Sequence, residues 1–368
     1  MKNLDLLLQH VKPVNHYYLF GHNRIDIKEE ILSGAGIYQL LEHIKWMEFQ
    51  GINAEIEVTF KCNLFKSSDV VSVIEIIMLY TAVRFPGIFK YNFAHFRYLE
   101  TNILFRYSLL TSFNNKKIGK SFENSFYEAK LELNHYRQVV QYEDGDDSFL
   151  CEINDNIKYT IKNVCNNLDL ACEAAESCIE MIGNVLEHSK TDCIVDVKIS
   201  ENTDDRIYLS LNVVSLSDVF IGQKLMELFD CGNGLDFSGS SIVLKAYSNH
   251  KKLFNQIYDY SAFAFVCSFQ NSVSTRENVK NSGGTGFTTL IRNIHDKSFN
   301  QQYDSYILSG KNTLYFKNEF LNMKEDGILG FNKKNDFYNE KPDESILKKE
   351  NIAFPGTIFC VNLITEKL

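Results

Sequence analysis

The sequence predicts an α+β protein, in which a C-terminal two-layer α/β sandwich follows a separate N-terminal α/β domain. Three observations favour this fold class: the chain length, the succession of helix-like and strand-like segments, and one acidic break near the middle. The chain has 368 residues, and at ~150 residues per domain two domains are expected. Hydrophobic residues make up 45% and charged residues 23%, so the chain can form apolar cores.

The acidic, glycine-containing segment QYEDGDDS at 141–148 marks the predicted domain boundary. Residues 1–145 form the predicted accessory domain and 146–368 the second domain. In the first, a strand-like run at 54–60 leads through a short loop into an apolar helix beginning near Asp69, which is the unit of a small α/β domain. The apolar run at 70–83 is shorter than the ~20 residues that span a bilayer, so a buried helix is expected and no membrane partner.

The second domain is predicted to alternate helices with strands. Its helices are expected at 157–168, 170–187, 222–229, 241–254 and 287–294, and its strands at 149–153, 193–199, 206–214, 263–269, 305–308, 313–316 and 356–364.

Charge and cysteine usage limit the class of protein. A net charge of −9 argues against a general nucleic-acid-binding surface, which needs basic side chains against the phosphates, although a local basic patch stays open. The nine cysteines are scattered, odd in number and without a CxxC pair. We therefore expect reduced thiols of a cytoplasmic protein, neither a disulfide framework nor a zinc site. The first 16 residues have no long apolar core, so no secretory signal is predicted.

One helix carries a candidate catalytic pair. Glu180 and Asn184 are four residues apart in the segment ESCIEMIGNVLEHS, so they share one helix face. A carboxylate that can polarise water beside an amide oxygen that can ligate a hard cation suits metal-assisted nucleotide hydrolysis. A solvated helix face is the alternative for these two residues taken alone.

A glycine-rich loop supplies a candidate phosphate site. Gly283, Gly284, Thr285 and Gly286 come just before a predicted helix, where backbone N–H groups and the helix dipole favour an anion. No GK[ST] follows, so this is not a Walker loop, and the GxGxxG pattern is absent as well. A flexible turn is the alternative explanation.

Taken in order, these motifs resemble the GHKL ATPase superfamily of gyrase-type topoisomerases, heat-shock chaperones, histidine kinases and MutL-type repair proteins. The resemblance covers about residues 150–368: the E-x-x-x-N helix followed by EHS, two strands, the late GGTG loop and a closing strand that begins at Pro355-Gly356-Thr357. It implies the Bergerat-type ATP-binding fold of that superfamily, with ATP and Mg²⁺ as cofactors.

The resemblance also assigns roles to residues. Glu180 matches the general base and Asn184 the Mg²⁺ ligand. Gly283, Gly284, Thr285 and Gly286 match the phosphate-binding loop beside a mobile lid. Further nucleotide contacts are implied at Ser274, Thr275 and Arg276 in the lid approach, and at Thr357 on the closing strand.

The adenine contact departs from the superfamily pattern. The D-x-G-x-G motif normally follows the second strand directly, and its aspartate binds the adenine amino group. Here Asp218 has the expected position, four residues beyond that strand, but not the motif. Asp230 begins a matching D-C-G-N-G, but a helical stretch separates it from the strand. The position favours Asp218 narrowly, and both stay open.

The sequence therefore predicts a cytoplasmic, Mg²⁺-dependent ATP-binding protein or ATPase of the stand-alone bacterial type, used as a conformational switch in regulation or defence. The upstream histidines lack the acidic neighbour of a phosphoacceptor, which argues against a sensor histidine kinase. The segment 54–83 weakly resembles STAS domains, so an anti-sigma-factor-like serine/threonine kinase acting on a STAS-like protein partner is an alternative. A non-hydrolysing nucleotide-binding module is another. As in many GHKL proteins, a homodimer is expected.

Overall fold

The structure is a computed structural model, which describes residues 1–13, 24–27, 38–51, 54–61, 68–93, 107–201, 206–230, 237–271, 273, 291–292 and 305–366. Its described helices and strands confirm a mixed α and β composition with one parallel and one antiparallel sheet.

The N-terminal part contains a small parallel sheet. Its strands are β1 (Arg24–Ile27), β2 (Ile56–Phe60) and β3 (Phe89–Phe93), and its helices are α1 (Tyr38–Gln50), α2 (Ser68–Arg84), α3 (Leu109–Ser112) and α4 (Lys120–Tyr127). The strands are ordered β1-β2-β3 and run parallel, with α1 and α2 in the two connections. The strand and the apolar helix predicted within 54–83 are thus present.

The second sheet is antiparallel and has six strands. They are β4 (Lys130–Glu132), β5 (His135–Val140), β6 (Cys193–Glu201), β7 (Arg206–Leu216), β8 (Ser305–Phe316) and β9 (Leu347–Glu366), in the order β4-β5-β6-β7-β9-β8. The closing strand β9 therefore lies inside the sheet, between β7 and β8. Strands β4 and β5 precede the acidic segment at which the sequence predicts the domain boundary, yet they belong to this sheet.

Helices cover one face of the antiparallel sheet. They are α5 (Asp147–Val164), α6 (Leu168–Asn184), α7 (Gln223–Asp230), α8 (Ser240–His250) and α9 (Tyr260–Cys267). The start of α6 is fixed by Asn167, whose side chain accepts a hydrogen bond from the N–H of Leu170 at 2.9 Å, a standard N-terminal cap. Its apolar stripe, which includes Ala171, Cys178 and Ile182, packs on the sheet, so the opposite face of the helix is left for polar residues.

Two strands predicted from the sequence are wrong, because both segments are helical. Residues 149–153 lie in α5, which Asp146 caps by accepting a hydrogen bond from the Phe149 N–H at 2.8 Å. Residues 263–269 mostly belong to α9, capped in the same way by Asp259. In α9 the residues Ala262–Cys267 are all buried, and such a short apolar run has no periodicity that separates helix from strand.

The other face of the sheet is covered by the N-terminal part. Helix α2 is buried from Asp69 to Ala82, as expected for a helix that is apolar on all sides. It contacts β6, β7 and β9, and one apolar cluster joins it to Ile194, Val214 and Ile358 of the sheet. The N-terminal elements and the sheet thus share a core, and the antiparallel sheet lies between two covering layers.

A buried ion pair crosses the interface between α2 and the antiparallel sheet. The Glu75 carboxylate on α2 lies 2.9 Å from the Arg137 guanidinium on β5, and neither side chain is exposed to solvent. Glu75 also accepts a hydrogen bond from the N–H of Leu109 at 2.8 Å, while Arg137 donates to the carbonyl of Phe126 at 2.8 Å. The pair fixes the position of α2 on the sheet.

Candidate functional site

A cleft of about 370 Å³ opens on the helical face of the antiparallel sheet. One wall is formed by the C-terminal half of α6 and the turn that follows it to Lys190. The opposite wall is formed by residues 219–225 at the start of α7 together with Glu227, and β9 contributes the floor with Thr357 and Phe359. The volume lies within the range of small-molecule sites.

Glu180 and Asn184 both line this cleft. They lie one turn apart on the polar face of α6, and each is half-buried. Within the described part of the chain, neither side chain forms a hydrogen bond or ion pair. Two polar groups without a partner among the described residues thus face one open space, which is the arrangement expected of ligand-binding side chains.

A wider helical turn follows this pair at the end of α6. Residues Val185–Ser189 form a π-helical turn, and Lys190 follows with a left-handed backbone at φ 49°. π-helical turns of this kind occur frequently at functional sites, and a lysine with positive φ is uncommon. The turn brings Glu187, His188 and Lys190 to the cleft beside Asn184. These three residues were not predicted as site residues, because the sequence gives no signal for a π-helical turn.

The residues present can hold a magnesium ion with a nucleotide. Mg²⁺ in nucleotide sites uses one or two protein oxygens and takes the rest from phosphates and water, so the Asn184 amide oxygen satisfies the requirement. Lys190 and Lys224 at the cleft add positive charge for an anionic ligand. Among the described residues, no group of three His, Cys, Asp or Glu side chains gathers to bind a metal by itself.

The floor of the cleft depends on one glycine. A Cβ atom built on Gly356 would lie 1.9 Å from the carbonyl oxygen of Ser215 on the adjacent strand. Only glycine therefore allows β9 to approach β7 at this point, where Thr357 turns its side chain into the cleft. Gly222 has a related role in the opposite wall, since a Cβ atom there would lie 2.7 Å from the backbone of Ala264 in α9.

Thr357 is bound to a neighbouring hydroxyl. Its Oγ1 lies 2.9 Å from Oγ of Ser309 on β8, and Ser309 also accepts a hydrogen bond from the N–H of Ile221 at 2.9 Å. The hydrogen bond between Ile221 and Ser309 connects the wall segment before α7 to the floor of the cleft. The structure thus brings Glu180, Asn184 and Thr357 into one cleft, although the sequence places Thr357 more than 170 residues beyond Asn184.

Of the two candidate base-reading aspartates, the structure describes the side chain of Asp218 alone. Asp218 is exposed and does not line the cleft. Asp230 is the last residue of α7, and its side chain is not among those described. The geometry therefore gives Asp218 no support as the contact to adenine, and the assignment of Asp230 stays a prediction.

The predicted phosphate loop and most of the predicted lid, which is expected at about residues 270–285, lie outside the described residues. This applies to Ser274, Thr275, Arg276, Gly283, Gly284, Thr285 and Gly286. The last described residue before them is Val273, which lines the cleft together with Ser268. Val273, which belongs to the segment predicted as the lid, thus lies at the edge of the cleft.

The buried cysteines near the cleft are structural. Burial raises the pKa of the Cys178 thiol on α6 to about 12, so the thiol is neutral at physiological pH and is not a nucleophile. Cys165, Cys193, Cys267 and Cys360 are buried as well.

Comparison of the chain with models of protein families, with curated proteins and with solved structures finds no match. No helix in the described part of the chain is long and apolar enough to cross a membrane.

Proposed function

We propose that the chain is a cytoplasmic, Mg²⁺-dependent ATP-binding protein of the GHKL type, which hydrolyses ATP slowly and uses the nucleotide as a conformational switch in regulation or defence. The observation that carries the proposal is the Glu180–Asn184 pair, whose two side chains face one cleft of about 370 Å³ without a partner in the described protein. The order of the sequence motifs, together with a closing strand that lies inside the sheet, supports the same assignment.

Glu180 and Asn184 have separate tasks in this proposal. Asn184 holds Mg²⁺, which neutralises charge on the triphosphate when bound. Glu180, one turn away on the same helix, accepts the proton of the attacking water. The GGTG loop at 283–286 binds the phosphates through its backbone N–H groups, and Thr357 contacts the base end of the ligand from the floor.

The N-terminal part is the element that senses the nucleotide state. It shares its core with the back of the antiparallel sheet, so a change in strand positions under the cleft alters the packing of α2. A protein partner that binds the N-terminal part would then distinguish the two states, since a ligand shifts a conformational equilibrium by its differential affinity for the states. A homodimer is compatible with this scheme and stays a proposal.

The test is a phosphate-release assay on Glu180→Gln. We expect turnover to fall by ~10²–10⁴-fold, the usual contribution of a general base, while ATP affinity stays within a few-fold of wild type. The matched control is Glu176→Gln, one turn earlier on the same helix and exposed, which should leave turnover unchanged. Equal loss of affinity and turnover in Glu180→Gln would contradict the role of base, and absence of turnover in wild type would leave a binding module.

A further inference from the structure

One edge of the antiparallel sheet is formed by the short strand β4. In the strand order β4 pairs with β5 alone, and the strand at the opposite edge, β8, is almost wholly buried. Strand β4 instead exposes apolar side chains: Leu131 is 47% exposed, and Leu133 in the turn that follows is 70% exposed. An exposed edge with apolar side chains is a template for pairing with another strand.

The hairpin between β4 and β5 fixes which backbone groups of β4 face outward. Its loop has only the residues 133 and 134, so Glu132 and His135 are the closing pair and exchange hydrogen bonds. Hydrogen-bonded and non-bonded pairs alternate along the strands, so Leu131, which lies opposite Tyr136, directs its N–H and C=O groups away from β5. No strand among the described residues pairs with this outer side.

The side chains of β4 divide between the two faces of the sheet. Leu131 shares a face with Tyr136, which belongs to the core beneath the helices. Lys130 and Glu132 lie on the other face, which the N-terminal part covers. Neither of these two charged side chains forms an ion pair or a hydrogen bond with another described residue. The edge strand therefore carries one positive and one negative charge, two residues apart.

A two-fold axis through Leu131 makes β4 complementary to itself. When a second β4 pairs antiparallel about this axis, the two Leu131 residues lie opposite one another and exchange both hydrogen bonds. Lys130 of each copy then lies opposite Glu132 of the other, and opposite charges at facing positions stabilise a sheet. The adjacent registers lack this match, because an axis through Glu132 or through Lys130 sets that residue against itself, and like charges directly opposite are destabilising.

We propose that the chain forms a two-fold homodimer through β4, in which two antiparallel sheets join into one sheet of twelve strands, six from each copy. The self-complementary charges select a second copy of this chain over a strand of unrelated sequence. Helix α5 contacts β4, so the α5 helices of both copies lie on the same face of the joined sheet, next to the axis.

This interface is remote from the cleft. Strand β4 is four places from β9 in the strand order, which corresponds to about 19 Å, given ~4.8 Å between neighbouring strands. Dimerisation through β4 therefore leaves the cleft open and requires no nucleotide. It does not rest on the proposed function, which assigns no surface to a homodimer.

The test is sedimentation equilibrium of the full chain without nucleotide, over a series of concentrations. We expect wild type to approach twice the mass of the chain at high micromolar concentration. Leu131→Pro removes the outward N–H, which the pairing with β5 does not use, and should weaken the dimer at least tenfold. The control is Leu168→Pro, an exposed leucine at the first residue of α6, where proline is tolerated. This control should dimerise like wild type.

Exchanging the charges tests the register. Glu132→Lys and Lys130→Glu each set like charges opposite one another across the axis, so each variant alone should dimerise at least tenfold more weakly than wild type. An equimolar mixture of the two variants should form a heterodimer with nearly the affinity of wild type, because opposite charges then face each other again. Formation of the heterodimer also shows that both variants are folded.

A wild-type chain that stays monomeric at high micromolar concentration would overturn the proposal, and so would a dimer that forms only with MgATP. Unchanged dimerisation of Leu131→Pro would show that another surface is used. A mixture of the two charge variants that dimerises as weakly as its components would contradict the register. Because all these measurements are made without relying on ATP binding, failure of the proposed function would leave the interface standing, and loss of the interface would leave the proposed function standing.

Discussion

Asn184 and Glu180 occupy the same face of α6, yet substitutions at the two positions should have different effects. Asn184 is proposed to act on the bound nucleotide through the metal ion, whereas Glu180 acts on water. An amide oxygen is a ligand that Mg²⁺ accepts in proteins, and alanine provides no replacement. The difference should be visible in binding, before any chemistry occurs.

For Asn184→Ala we expect ATP affinity in the presence of Mg²⁺ to fall at least tenfold. In EDTA the variant and wild type should bind ATP equally, because the metal contact is then missing in both. Fluorescence titration with and without Mg²⁺ measures this difference. Asn163→Ala on the exposed side of α5 is the control. A variant that keeps the Mg²⁺ effect of wild type would show that Asn184 is not the ligand.

At the scale of single residues, the sequence predicted the pair but not its surroundings. The spacing of Glu180 and Asn184 was sufficient, because helical periodicity places i and i+4 on one face. The contact between Thr357 and Ser309 was not predictable, since the two residues lie in different strands and serine is common. Their proximity depends on the register of β8 and β9, which requires tertiary pairing.

Among the elements, α2 has the most demanding environment. It brings Glu75 into an apolar interface, where a carboxylate is tolerated only when it is paired and hydrogen-bonded. Arg137 on β5 and the N–H of Leu109 provide these partners. The attachment of α2 to the sheet should therefore depend strongly on the pair.

Arg137→Met leaves the Glu75 carboxylate buried without its ion-pair partner. We expect the free energy of unfolding to fall by ~3–5 kcal/mol, as measured by urea denaturation. The double variant Glu75→Gln/Arg137→Met should lose less than the sum of the two single variants, because no charge is left buried. As a control, Lys117→Met removes an exposed ion pair with Glu55 and should cost ~0–1 kcal/mol. A loss in Arg137→Met no larger than in this control would contradict the account of the interface.

Helices and strands were predicted correctly where a regular hydrophobic pattern extends over a long segment, and wrongly where the segment was short. The helix at α6 and the strands β6 and β7 follow the sequence pattern closely. The failures at 149–153 and 263–269 concern runs of five to seven apolar or mixed residues, for which helix caps at Asp146 and Asp259 decide the outcome. The place of β4 and β5 in the second sheet depends on pairing with β6 and has no local sequence signal.

On the scale of the whole molecule, a buried histidine links stability to pH. His250 is 1% exposed, and its Nε2 lies 2.7 Å from the carbonyl oxygen of Phe337, while Nδ1 contacts the Tyr258 hydroxyl. This geometry suits a neutral ring that donates from Nε2 and accepts at Nδ1. Burial lowers the pKa of His250 below its ordinary value, against the opposing effect of the Phe337 carbonyl.

The sign of the pH effect follows from this lowered pKa. As pH falls through ~6.5, the unfolded chain takes up a proton on this histidine and the folded chain does not. Stability should therefore decline between pH 7.5 and 5.5, by at most ~1.4 kcal/mol per pH unit for this group. Burial lowers the pKa of His135 too, which adds to the slope.

We expect His250→Gln to be less stable than wild type at pH 7.5 but to lose less stability on going to pH 5.5. Urea denaturation at both pH values measures the change in the free energy of unfolding with pH for each protein. The control is His10→Gln at an exposed position, which should show the same change as wild type. An unchanged slope in His250→Gln would mean that this histidine does not titrate differently in the folded and unfolded states.

The proposed function requires that the cleft beside Glu180 and Asn184 bind ATP together with Mg²⁺. The most direct measurement is calorimetric titration of the full wild-type chain with ATP, once with Mg²⁺ and once with EDTA. We expect saturable binding of one nucleotide per chain, with a clearly higher affinity when Mg²⁺ is present. A titration that shows no heat and no thermal stabilisation at millimolar MgATP would contradict it.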